Sequence, residues 1–255
     1  MRAAPLLAAL VIALSTSACA QSPLAYQPTP FQVGKDVVWV PTPQSLVDKL
    51  LDLAKVTKED FVMDLGSGDG RLVITAARRG ARAMGVEYNE DLVDLSKRAA
   101  EKEGVSERAV FVKADLFETD FSRATVITMF LLPELNLRLR PTILALRPGT
   151  RVVSNTFTMG DWLPDETAKL TSADGCSSTY CTALFWVVPA RVAGTHKLQD
   201  GEITITQEFQ LIAGTMTTGG KSFPFSGSVR GLDLSFKAGG KDYLGRWNGK
   251  NLELR

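Results

Sequence analysis

The residues with the most chemical content run Asp64-Leu65-Gly66-Ser67-Gly68-Asp69-Gly70, a carboxylate followed by glycines at alternate positions. The apolar run Phe61 to Met63 predicts a buried strand ending at the acid, and an apolar helical pattern follows Gly70. A strand that turns on glycine into a helix makes a ligand cradle. Glycine permits the turn and lets a ligand approach the backbone, while the helix N-terminus offers N–H groups. The G-x-G-x-x-G spacing that seats a pyrophosphate fails here, because Arg71 stands where the third glycine belongs. Ala83 to Glu87 and Val110 to Asp115 read as two further strands, each ending in an acid. A carboxylate at a strand's C-terminal end is placed to accept two hydroxyl hydrogen bonds.

These residues need a frame, and the chain supplies alternating strands and helices, as βαβ units require. Strand 61–65 feeds a helix near 70–79 that stops at Gly80. Strand 83–87 feeds a helix over 90–103, with Asn89 as N-cap and Gly104 as the stop. Strands follow at 110–114, 125–131 and 151–157. A helix at 134–146 precedes the last of these, and Pro141 predicts a kink or break in it. Residues 182–188 read as one arm of a closing hairpin whose loop carries Cys176 and Cys181. Ahead of the sheet, Leu46, Val47, Leu50, Leu51 and Ala54 mark an amphipathic helix. Residues 21–36, with Pro23, Pro28 and Pro30, read as a linker or extended arm. After Pro189 the apolar period becomes two, with hairpin turns expected at Gly219-Gly220, Gly239-Gly240 and Asn248-Gly249. That pattern predicts an antiparallel β-module over 191–255, a curled sheet or partial barrel. So short a segment buries little core by itself, so it must pack on the first domain, a ligand or a partner.

The D-x-G-x-G-x-G pattern, with acids at the ends of two further strands, resembles motif I and its neighbours in the class I S-adenosylmethionine-dependent methyltransferases. The resemblance implies an α/β fold: a Rossmann-like seven-stranded methyltransferase sheet over 37–190, followed by the β-module. It implies S-adenosylmethionine as cofactor, with Glu87 on the ribose hydroxyls and Asp115 on the adenine amine. Asp64, Gly66, Ser67, Gly68 and Leu116 are its remaining cradle residues, and Thr42 closes over the donor. Val40-Pro41-Thr42-Pro43, Leu131-Leu132-Pro133 and Pro148-Gly149-Thr150-Arg151-Val152-Val153-Ser154 narrow it further. Together they are similar to bacterial relatives of the mitochondrial lysine methyltransferases of the ATP synthase c-subunit, over roughly residues 37–165. That family's acceptor is a protein lysine. Base methyltransferases carry Asn-Pro-Pro-Tyr or a near variant after strand four. Leu-Leu-Pro-Glu stands there in this chain, which argues against base methylation. Pro133, Asn155 and Trp162 are then candidates to border the acceptor, Asn155 standing where a histidine is expected. A lysine amine is charged at neutral pH, so the site must favour the neutral form or accept its proton. Glu134 is the candidate for orienting or deprotonating it, and a first-turn acid that complements a helix dipole is the alternative. A small-molecule or lipid acceptor, or an exported binding protein that keeps the fold without turnover, are the competing readings.

The N-terminus points out of the cytoplasm. Met1-Arg2, the apolar run Leu6 to Leu14 and Ala18-Cys19-Ala20 read as a signal peptide over 1–20, cleaved after Ala20 into a periplasmic protein. Lipid attachment at Cys19 is the less favoured alternative, and the apolar run is too short to span a bilayer. Cys176 and Cys181, a close pair in an oxidising compartment, are expected to form a disulfide. One histidine and no second cysteine pair leave no metal site. A net charge of +1 with no basic tract gives no sign of a nucleic-acid partner, and nothing fixes the oligomeric state.

Overall fold

In a computed structural model, residues 26–254 are described; the expected signal peptide lies outside them. The first sheet contains β1 (Phe61–Leu65), β2 (Arg82–Glu87), β3 (Ala109–Lys113), β4 (Val126–Met129), β5 (Arg151–Asn155), β6 (Glu166–Lys169) and β7 (Thr182–Val187). Their order is β3-β2-β1-β4-β5-β7-β6. β1 pairs in parallel with both β2 and β4, so the chain reverses its winding beside β1. That reversal opens a crevice at the carboxyl ends of the strands. β7 runs antiparallel to β5, which brings the N-terminal end of β7 to the same edge as the C-terminal ends of β4 and β5.

β4 is buried along its whole length, as a strand covered on both faces must be. One face carries α1 (Gln44–Leu53), α2 (Arg71–Arg78) and α3 (Glu90–Lys102), which bury Leu46, Leu50, Val73 and Ala100. α3 starts where expected, with the Asn89 side chain accepting from the Asp91 amide at 2.9 Å. The other face carries α4 (Pro133–Leu144), with Leu139 and Ile143 inward. α4 opens on Pro133, where the missing N–H costs nothing. It does not break at Pro141 but continues to Leu144. The carbonyl deprived of its partner is that of Leu137, an exposed residue, so solvent takes the bond.

The second sheet is a seven-stranded antiparallel meander. It comprises β8 (Gly194–Leu198), β9 (Gly201–Glu208), β10 (Leu211–Thr218), β11 (Lys221–Arg230), β12 (Asp233–Ala238), β13 (Lys241–Trp247) and β14 (Leu252–Leu254). It curls until β14 approaches β8, around a core that includes Ile203, Met216, Val229 and Phe236. All three glycine pairs and turns named from the sequence sit at hairpins with positive φ. The module packs on the first domain. Phe209, in the β9–β10 turn, stacks on Trp162 with ring centres 6.2 Å apart, and the Arg230 guanidinium meets Glu166 at 2.6 Å.

Trp162 therefore does not border an acceptor channel. It is fully buried in the core under the module, where its carbonyl accepts from the Trp186 indole at 2.9 Å. Cys176 and Cys181 are joined by the expected disulfide. No helix among the described residues is long and apolar enough to cross a membrane, and no metal-ligand cluster occurs among them.

Candidate active site

A cavity lies at the carboxyl ends of β1, β2 and β4, and Asp64, Gly66, Ser67, Gly68, Glu87, Asp115 and Leu116 all line it. The glycine turn behaves differently from a cradle of free amides. The Gly66 and Ser67 amides both donate to the Val86 carbonyl, at 2.9 and 3.0 Å, and the Gly68 amide donates to Glu87 Oε2 at 2.9 Å. The turn spends its donors on β2. What the glycines provide is conformation and close approach. Gly66, Gly68 and Gly70 have φ of +80°, +54° and +77°, a region costly for residues with a Cβ. A Cβ at Gly68 would also lie 2.7 Å from the Trp39 indole nitrogen, which closes over the turn.

Glu87 is held rigidly. Its Oε1 accepts from the Asn89 amide at 3.0 Å while Oε2 accepts from Gly68. A carboxylate has about four acceptor positions, so two remain, one on each oxygen. Asp115 accepts from the Phe117 amide at 2.9 Å and forms an ion pair with Lys35. The Lys35 hydrogen bond, then the Phe117 amide, hold its carboxyl below the usual range. The segment before α1 is thus no bare linker. Residues 32–42 fold over the cavity, tied by a Val33–Val38 bridge, with the Lys35 ammonium 4.5 Å from the centre of the Tyr88 ring.

Asp64 is nearly enclosed, 5% exposed. Burial pushes its carboxyl up to about 7, against the Thr128 hydroxyl that donates to it at 2.6 Å; Glu87 and Asp69 push it further up. Ser67 Oγ, packed against Gly85 of β2, is buried without a partner among the described residues. Thr42 lines the cavity as expected, its carbonyl accepting from Arg71 Nη1 at 2.7 Å and its hydroxyl from Asn155 Nδ2 at 3.3 Å. Asn155 is completely buried and does not line the cavity; it positions Thr42.

The end of the cavity beyond β4 departs most from expectation. Pro133 and Glu134 do not line it: Pro133 forms the first position of α4, and Glu134 is an exposed first-turn acid facing no partner among the described residues. The helix-dipole alternative describes Glu134. Phe130, Leu131, Leu132 and Leu135, from the segment after β4 that the resemblance sets beside the methyl, do line this end, and with them Phe157 and Tyr180, which sequence reasoning missed. Phe157 follows Thr156, a β-branched residue at φ +62°, an uncommon and strained state. Asn136 Nδ2 secures that turn by donating to the Phe157 and Thr158 carbonyls at 3.1 and 3.2 Å. Tyr180 sits inside the disulfide loop, next to Cys181. Only sheet order brings Phe157 and Tyr180 to Phe130, and nothing in local spacing marks those two.

The residues present fit an adenosyl ligand with a cationic tail. They combine an anchored carboxylate with two spare acceptor positions, a glycine turn that lets a ligand approach closely and a buried acid whose carboxyl burial pushes up. Residues 64–166 match the model of the ANTKMT methyltransferase domain. The chain is 47% identical over 137 residues to a "protein-lysine N-methyltransferase" of Saccharolobus islandicus, spanning 85% of that protein and 52% of this one. It is 34% identical to the Xenopus laevis lysine N-methyltransferase of the ATP synthase c-subunit, over 50% of this chain and 56% of that protein. A Salinibacter ruber structure, described as an RNA methyltransferase in complex with S-adenosyl-L-homocysteine, is 46% identical. It covers 60% of this chain and 96% of its own, with a TM-score of 0.56. The β-module lies beyond the residues that match the domain model.

Proposed function

From the premise that this chain belongs to the S-adenosylmethionine-dependent methyltransferases, in the family of the ANTKMT methyltransferase domain, we propose that it methylates a protein lysine amine. When bound, S-adenosylmethionine supplies a methyl on a sulfonium sulfur; the amine lone pair takes that carbon and the sulfur departs as a neutral thioether. The chain's part is placement. Glu87 would hold the ribose hydroxyls with its two spare acceptor positions, and Asp115, Tyr88 and Leu116 would enclose the base. Asp64 would meet the positive charge of the amino-acid end. Thr42, fixed by Asn155 and Arg71, closes the cavity from the side of α1. No carboxylate lines the acceptor end, so an amine that arrives as its ammonium passes its proton to water at the site before its lone pair can attack.

The observation that carries the reading is the run of cavity from Glu87 past Asp64 to the rings beyond β4, one slot for a nucleoside at one end and an amine at the other. Two relatives named for protein lysine methylation support the choice of acceptor. For an RNA acceptor, as the Salinibacter ruber description has it, the net charge of +1 and the absence of a basic tract in the sequence give no sign. Purified protein with tritiated S-adenosylmethionine and a cell-envelope extract should put acid-stable label in protein, recovered on hydrolysis as methylated lysine. Label confined to nuclease-sensitive or lipid-soluble material would reject lysine.

A further inference from the structure

We propose that Phe130, Phe157 and Tyr180 form the acceptor subsite, an aromatic enclosure that holds an alkylammonium by its positive charge. The proposal rests on the methyl-transfer reading above. β4, β5 and β7 are neighbours in the sheet, and the antiparallel β7 puts its leading end beside the trailing ends of the other two. One ring projects from each of these three ends. Phe130 and Tyr180 meet edge to face at 5.3 Å, Phe157 and Tyr180 lie 5.8 Å apart, and Phe130 and Phe157 stack at 5.9 Å.

Ordinary apolar packing would bury such rings. These three stay half-buried and all line the cavity. Considerable structure is committed to keeping them there: the strained Thr156 turn with its Asn136 clamp, and the Cys176–Cys181 loop. Among acids, the one expected at this end, Glu134, is turned out to solvent. A cavity end with aromatic faces and no carboxylate of its own recognises a cation through the ring quadrupoles. Each methyl added to an amine weakens its hydration and improves that fit, so the enclosure favours partly methylated lysine for a further round.

The test is calorimetry on full-length protein saturated with S-adenosylhomocysteine, using N-acetyl-trimethyl-lysine methylamide and its neutral carbon isostere as probes. The cation should bind about five- to thirtyfold tighter than the isostere, as cation–π contacts at desolvated sites do. Tyr180→Leu and Phe157→Leu should each lose that preference while S-adenosylhomocysteine still binds, and Tyr180→Phe should keep it. Equal affinity for the two probes, or binding of neither by protein that takes S-adenosylhomocysteine, overturns the enclosure alone. Wild-type protein that takes no S-adenosylhomocysteine overturns the methyltransferase reading beneath it.

Discussion

Asp64→Asn yields a protein that is more stable than the wild type above neutral pH, yet binds S-adenosylhomocysteine more weakly. The acid is buried and its carboxyl is raised to about 7, so the folded chain holds a proton that the unfolded chain releases near 4. Between those values the native state binds more protons than the unfolded state, and stability falls as pH rises. The loss is complete near pH 7 and amounts to at most on the order of 4 kcal/mol from this group. Asparagine keeps an acceptor for the Thr128 hydroxyl and carries no charge, so it escapes the loss. It also gives up the attraction for a cationic ligand. In the wild type, ligand affinity should drop about tenfold per pH unit below 7, where binding must first expel the proton; in the variant that slope disappears. Denaturant melts and titrations at pH 5 to 8 check both halves. A variant that destabilises at pH 8, or retains the slope, rejects this role for Asp64.

Glu87→Ala should cost S-adenosylhomocysteine at least tenfold in affinity, about 1.4 kcal/mol or more, because two charge-assisted hydrogen bonds to ribose vanish. It also strips the Gly68 and Asn89 amides of their acceptor, which loosens the turn the ligand rests on. Glu87→Gln separates the two effects. It keeps one oxygen for an amide and loses the charge, so its affinity should fall between the two. Unchanged affinity in the alanine variant would mean that the ribose lies elsewhere.

The cofactor half of the site was legible in the sequence because its residues are local to strand ends. An acid after a short apolar run, alternate glycines and an apolar helix together fix the turn within a dozen residues. What spacing could not reveal was where the amides point. The Gly66 and Ser67 donors go to Val86 on the neighbouring strand, a partnership set by sheet register. The acceptor half was legible only in the segment after β4. Phe130, Phe157 and Tyr180 meet only because β7 inserts antiparallel beside β5, and Trp162 was drawn away from the cavity by Phe209 of the β-module. Pro141 misled for a related reason. Its missing hydrogen bond falls on the solvent side of α4, where the helix tolerates it. The β-module itself was readable from period-two alternation and glycine turns, since antiparallel meanders are made of adjacent residues.

The central claim is that one cavity above β1, β2 and β4 receives the adenosyl donor. A crystal structure of the protein grown with S-adenosylhomocysteine tests it most directly. The ribose hydroxyls should lie on Glu87, the base between Tyr88 and Leu116 with its amine near Asp115, and the thioether toward Phe130. Ligand density at any other place, or a cavity still filled by Trp39 and the Lys35 segment at saturating ligand, would contradict the account.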